Sequence, residues 1–345
     1  MRWMFVRAAA GATVLAIAVA TAGCVADKPT PRPTPSRSSA TPTPTAAPTS
    51  IAPLRGTTVP AGSLDHASIA AKIDNHPAAR PQVGLEKTDL LFEELVEGGL
   101  TRYVAVWQSD IPDQLGPVRS IRPMDPDILS PLGGIVCYSG GQARFVALMR
   151  NTPVYNAIHG QADTASTFFR TPAKRAPHNV LVKAKDLLAQ HQDIAAPAQQ
   201  FSYAHDVPSS SAGKGGTPTA AINYAFSPAT NGSWTWDAGQ AAFLRAQGGR
   251  ADLDGTGAQL KATNVVVLRV PVGNDGGVPK TELIGSGEAW ASAGGATVHA
   301  RWSKTSATDP IRLVDDTGAT VRLAAGNTWI ELIPLAGSVA FVAPA

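Results

Sequence analysis

Apolar and polar positions are patterned in two ways along this chain. Between 53 and 192, continuous apolar runs alternate with stretches of helical period; from 219 onward the runs are short, and Gly, Asn and Asp separate them. Residues 68–74 (SIAAKID) read as a strand, 75–84 as a loop with two prolines, and 88–96 with 102–108 as a hairpin through Gly98, Gly99 and Leu100. A two-residue turn at Gly99-Leu100, with Gly first, suits type II′. In that register Glu97 faces Arg102, an opposite-charge pair of modest value. A period of two puts Glu93 and Glu97 on one face and Glu94 on the other. Residues 114–123 form a loop with two arginines, 124–132 a short helix, 134–139 a buried strand ended by Gly140-Gly141, and 142–150 a helix. Residues 152–174 look irregular, 179–182 form a strand and 183–192 a helix. Strands interleaved with helices predict a mixed sheet.

The polar stretch 193–218, with SSSAGKGGTP at its end, reads as a linker. Beyond it AINYAFS, SWTWD, NVVVLRV, ATVHARW, IRLVDD, TVRLAA and WIELIP predict many short strands and few helices. The predicted fold class is α+β: an N-terminal mixed α/β domain at 53–192, then a mainly β C-terminal domain at 219–345. Trp234 and Trp236 share one strand face and read as core, with an aromatic platform for sugar rings as the sharper alternative. Asp252-Leu253-Asp254-Gly255 lacks the later ligands of a calcium loop and reads as a β-turn.

The first 52 residues carry neither pattern. Arg2 and Arg7 precede an apolar run at 8–20 that is short for a bilayer span, and Thr21-Ala22-Gly23-Cys24 follows. Small residues before a Cys at this place resemble a bacterial lipobox, although Thr21 departs from the usual Leu. They predict a signal peptide at 1–23 and a lipid on Cys24, hence anchorage at the extracytoplasmic face of the cell membrane. Residues 24–52 are rich in Pro, Thr and Ser and cannot bury a core. At about 3.1 Å per residue in extended polyproline form, they make a tether several tens of ångströms long. Cys137 is the only other cysteine, in a predicted buried strand, and reads as a core residue. With Cys24 lipidated, no intramolecular disulfide is available.

The length of 345 residues suits two domains. The net charge of +3, on scattered Lys and Arg, gives no footprint for nucleic acid. His66, His76, His159 and His178 lack metal-ligand spacing such as HExxH, so neither a metal nor another cofactor is expected.

The suggestive polar residues cluster in 89–108 and in three flanking phrases: KIDNHPAARPQ (72–82), GPVRSIRP (116–123) and RAPHN (175–179). These phrases resemble the YerB-like lipoproteins of Gram-positive bacteria. The first-domain pattern is carried by Ile73-Asp74-Asn75, Arg80-Pro81-Gln82, Gly84-Leu85, Asp89, Glu93, Glu97-Gly98-Gly99 and Thr101-Arg102. It continues in Gly116-Pro117, Arg119-Ser120, Arg122-Pro123, Gly140-Gly141 and Ala176-Pro177-His178-Asn179. Weaker matches in the second half are Trp236-Asp237, Arg245, Asp252, Asn264-Val265-Val266 and Trp329-Ile330. The resemblance implies two consecutive domains of unknown function and an envelope location; it supplies no reaction. Tyr138-Ser139 stands where the family pattern has His-Ala.

Three residues are candidates for catalysis, Asp74, Glu93 and His178. Asn75, Arg80, Glu97, Arg102, Arg119, Arg122 and Asn179 are candidates for ligand binding, all around one cleft in the first domain. Glycan hydrolysis needs carboxyl groups about 5–5.5 Å or about 6.5–9.5 Å apart. Glu93 and Glu97 on one strand would be roughly 13 Å apart at about 3.3 Å per residue, so Asp74 would have to pair with one of them. Arg119 and Arg122 either clamp a carboxylate or phosphate or rigidify the loop through carboxylates. His178, after Pro177, is either a general base or a ring bonded to its loop. A Ser-His-Asp triad with Ser120 or Ser139 lacks a GxSxG frame. The leading function is a lipid-anchored envelope protein that binds an anionic or glycan ligand of the wall. The alternative is an enzyme that processes wall glycan or peptide by Asp/Glu/His acid–base chemistry. A solute-binding lipoprotein is a third reading, weakened by the β-rich second half.

Overall fold

In the computed structural model, which describes residues 47–345, most strands fall into two sheets. The expected signal peptide, Cys24 and the expected tether up to residue 46 lie outside the described residues. In chain order the first half supplies β1 (Ile69–Asp74), β2 (Leu90–Leu95), β3 (Thr101–Trp107), α1 (Asp125–Leu129) and β4 (Ile135–Tyr138). It then adds α2 (Ala143–Arg150), β5 (Tyr155–Ile158), β6 (Val180–Lys183) and α3 (Ala184–Ala189). The second half supplies β7 (Ala221–Ser227), β8 (Thr230–Asp237), β9 (Ala242–Gln247) and β10 (Asn264–Val270). It ends with β11 (Gly285–Ala293), β12 (Ala296–Lys304), β13 (Thr328–Pro334) and β14 (Ser338–Val342).

The larger sheet runs Thr217–Pro218, β12, β11, β10, β13, β2, β3, β1, β4, β5, with Arg312–Asp315 added beside β12. The halves meet in the parallel pair β13–β2, where Glu331 lies beside Glu93. These central strands are buried on both faces, which is why NVVVLRV, TWIELIP and LLFEEL read as continuous apolar runs. β7 belongs to the smaller antiparallel sheet and alternates, burying Ile222, Tyr224 and Phe226. On one face of the large sheet, Phe92, Val104 and Ile330 cluster with Ile128 of α1 and Phe145 of α2. On the other face, Tyr103, Trp107 and Trp329 cluster with Ile222, Trp234 and Phe243 of the smaller sheet.

Both cores therefore mix side chains from both halves, and residues 47–345 form one compact unit. The fold class is α+β with far more strand than helix. The change of composition near 193–218 marks a change of element type, not a boundary between separate cores. That stretch is itself structured. Ser202–Tyr203 pairs with Arg322–Leu323, Ser211–Gly215 is helical, and Thr217–Pro218 forms a sheet edge. Residues 152–174, expected to be irregular, contain β5 and the strand Phe168–Arg170. The end of the tether is also ordered, with Thr49–Ile51 paired to Thr58–Pro60.

The hairpin differs from the expected one. Leu95 pairs with Thr101 and Glu94, not Glu97, faces Arg102. Gly98 and Gly99 both take φ 71°, and a 3₁₀ turn at Glu97–Gly99 replaces the two-residue turn. The other half sets this geometry: Ser227 Oγ and Thr230 Oγ1 donate to Gly99 O at 2.6 and 2.8 Å. Trp234 and Trp236 both pack in the core, as does Cys137, whose thiol burial pushes up. Asp254 caps a turn by accepting from Thr256 N and Ala258 N.

Candidate anion-binding site

β1 and β4 pair in parallel only over Ile69–Ala71 and Ile135–Cys137. Beyond that point the loop 116–123 fills the gap. Arg119 N donates to Lys72 O at 2.7 Å, and Arg119 O accepts from Ser139 N at 3.0 Å. Pro117 O accepts from Asp74 N at 2.9 Å, and Val118 N donates to Val180 O at 2.8 Å. Gly116, at φ +138°, permits this insertion, because a Cβ there would meet Leu181 Cδ2 at 2.8 Å and Val180 O at 2.9 Å. The loop thus delivers Arg119 and Arg122 to the carboxyl ends of β1 and β4, a common place for ligands in parallel sheets.

Asp74 ends β1 with both oxygens engaged. Oδ1 accepts from His76 N at 3.0 Å; Oδ2 accepts from His178 Nδ1 at 2.6 Å and lies 3.1 Å from Arg119 Nε. The Arg119 contact is off the N–H direction, so it is ionic and not a hydrogen bond. A carboxylate accepts, so Nδ1 of His178 is the donor to Asp74, and in the neutral ring Nε2 is the nitrogen with the lone pair. His76 stacks on the His178 ring at 4.4 Å, and its own Nδ1 accepts from Ala78 N at 3.1 Å. The Asp74 side chain is 5% exposed, that of His178 16% and that of Arg119 23%, so the carboxylate lies inside and its two partners reach water.

Arg102 of β3 stands beside this group. Its Nη1 donates to Ser120 O at 2.7 Å, and no carboxylate among the described residues lies within 4.0 Å of it. Burial, then the charges of Arg122 and Arg119, bring it down to about 10, against the opposing pull of Asp74 and Glu97. Arg122 Nε donates to Glu97 Oε2 at 2.7 Å, and Arg122 Nη1 donates to Ile121 O at 2.8 Å. Partial burial works to raise the Glu97 pKa, but the hydrogen bond from Arg122 and the backbone outweigh it and hold the carboxyl below its usual value.

Beneath these arginines lies a cluster that the sequence reading missed. Lys72 Nζ donates to Asp125 Oδ1 at 2.7 Å and also to Glu94, and Asp125 Oδ2 accepts from Arg122 N at 2.6 Å. Burial brings Lys72 down to about 8, with Asp125 opposing. A single lysine inside the apolar run IAAKID was an available signal, since a buried ammonium requires carboxylate partners.

Glu93 is not in this site. It is fully buried: Oε2 accepts from Arg245 Nη2 at 2.5 Å, and Oε1 accepts from Thr101 Oγ1 at 2.6 Å and Asn75 Nδ2 at 3.3 Å. Arg245 also pairs with Asp252 and is enclosed by Tyr103, Trp234 and Trp329. Glu331 accepts from Trp234 Nε1 at 2.8 Å; burial, then the neighbouring Glu93, raises its pKa well above the ordinary value. A glycan cannot reach Glu93, so the Asp74–Glu93 carboxylate pair gives way. Asn75 belongs to the framework, with Oδ1 accepting from Arg80 Nε at 3.0 Å. Arg80 turns to the rim of a separate groove of about 530 Å³ that includes Gln247, Leu253 and Asp254. Asn179 Oδ1 accepts from Arg170 Nη1 at 2.7 Å and holds the start of β6. The candidates that converge are Asp74, His178, Arg119, Arg102, Arg122 and Glu97. A second groove of about 300 Å³, at Phe201 and Leu313, is again elsewhere; charge and donors, more than depth, hold a small anion.

Fold and site together define a mainly β, α+β protein with an arginine-lined site at the ends of parallel strands. Residues 54–196 match the family described as "Protein of unknown function (DUF3048) N-terminal domain", and residues 222–330 match its C-terminal domain. Putative lipoprotein YerB of Bacillus subtilis is 32% identical over 128 residues, 37% of this chain. That alignment spans 38% of the relative's length. The crystal structure of YerB protein from Bacillus subtilis has the same fold, with a TM-score of 0.73 at 21% identity, over 84% of this chain and 99% of that one. The chain belongs to the YerB-like family, whose two consecutive domains have no assigned function.

Proposed function

We propose that this is a lipid-anchored protein of the bacterial cell envelope that binds an anionic ligand, a phosphate- or carboxylate-bearing wall component, between Arg102, Arg119 and Arg122. The order of charged, apolar and TAGC segments before Cys24 supports the anchor, as does the relative's name of putative lipoprotein. The observation that carries the binding reading is Arg102. Its guanidinium is nearly buried, bonded to one carbonyl and crowded by two further arginines, without a carboxylate of its own. Burying a cation in this way is costly unless an anion completes it.

Calorimetry with inorganic pyrophosphate tests this. A charge-assisted hydrogen bond is worth about 1.5–3 kcal/mol, so Arg102→Gln should weaken binding about ten- to hundredfold. Wild-type affinity in that variant, with an unchanged melting temperature, would exclude Arg102 as the carrier of binding.

A further inference from the structure

We propose that His178 is a general base and that the site hydrolyses phosphodiesters, an inference that rests on the anion-binding reading above. Asp74 fixes the tautomer and orientation of His178, and His76 holds the ring by stacking. Nε2 is then the ring's remaining polar atom, and no described residue hydrogen-bonds to it. The Asp74 oxygen that orients the ring also touches Arg119, so the base and an anion-binding guanidinium share one anchor. No described Ser, Thr or Cys hydrogen-bonds to His178, and Cys137 is sealed in the core. The nucleophile is therefore water.

Arg102, Arg119 and Arg122 stand around the inner carboxylate of Asp74, with Glu97 on Arg122 and the Lys72–Asp125–Glu94 cluster behind them. Three guanidiniums suit the non-bridging oxygens of a phosphodiester, and a water activated by His178 attacks its phosphorus. In the step, His178 Nε2 takes a proton from water as the water oxygen bonds to phosphorus. The bond from phosphorus to one ester oxygen breaks, and the departing alkoxide takes a proton from solvent. His178 returns its proton to solvent, so one water converts a diester into a monoester and an alcohol. The guanidiniums hold the charge that builds on the non-bridging oxygens.

The test uses full-length protein in detergent. Release of 4-nitrophenolate is followed from bis(4-nitrophenyl) phosphate and from the monoester 4-nitrophenyl phosphate, with pyrophosphate binding measured in parallel. The diester should be cleaved faster than the monoester. His178→Ala should lower kcat by about a hundredfold or more while pyrophosphate still binds. Asp74→Asn, a nearly isosteric change, should lower kcat similarly because the amide no longer enforces the Nδ1–H tautomer. It should hold or tighten pyrophosphate binding as Arg119 is released. Binding without nitrophenolate release overturns hydrolysis and leaves the binding reading standing; absence of both overturns both. Full turnover in either variant removes His178 as the base, and monoester preference overturns the substrate class.

Discussion

Glu331 and Glu93 sit side by side on β13 and β2, both fully buried. Arg245 pairs with Glu93 and Asp252, while burial and the Glu93 charge favour the protonated form of Glu331. A protonated acid and an amide present the same groups here: an oxygen that accepts from Trp234 Nε1 and a donor toward Glu93. Glu331→Gln should therefore fold normally. Unfolded glutamate ionises near 4.5, and in the folded protein the value is well above that. Below the unfolded value the contribution of Glu331 is fully present. As pH rises above it, the unfolded chain loses its proton first. Stability then falls by about 1.4 kcal/mol per pH unit until the folded value is passed. The amide has no such dependence. Above about pH 5.5 the variant should therefore gain on the wild type by about 1.4 kcal/mol for each pH unit until the folded value is passed. Urea unfolding at several pH values measures this. Glu331→Leu is the control: it leaves the Trp234 N–H unpartnered and should cost about 1–3 kcal/mol relative to the amide at every pH. A constant gap between wild type and Glu331→Gln would mean that Glu331 is charged in the fold, and would refute the reasoning.

Arg245→Met strands Glu93 and Asp252 in the core and should cost about 3–5 kcal/mol, read by thermal or urea unfolding. Glu97→Gln releases Arg122 from its partner and should raise pyrophosphate affinity severalfold by calorimetry. Glu97 is 40% exposed, so the stability change should stay within about 1 kcal/mol. Cys24→Ala should move the protein out of the membrane fraction or leave it unprocessed; unchanged fractionation and mobility would refute lipid anchorage.

Element types were legible in the amino-acid order because periodicity is a local property. SIAAKID, NVVVLRV and AINYAFS each declare a strand within seven residues, and the last also shows its wet face. Asp74, Arg119, Arg122 and His178 stood out as charged or titratable groups in Gly- and Pro-bearing loops, and the fold brings them together. Lys72, Arg245 and Glu331 were visible as single charges within apolar runs, which announces that each needs a partner. Which partner it finds is another matter. Residues 93 and 331 meet only through the pairing of β2 with β13. The adjacent Glu93 and Glu94 look alike in LLFEEL, yet one enters the Arg245 cluster and the other the Lys72 cluster. The hairpin register likewise depends on Ser227 and Thr230 bonding Gly99 O from the other half. Backbone periodicity is set by neighbours a few residues away. Pairing of buried charges and closure of a shared core are set by packing between segments from about twenty to more than two hundred residues apart, and no local pattern carries that information.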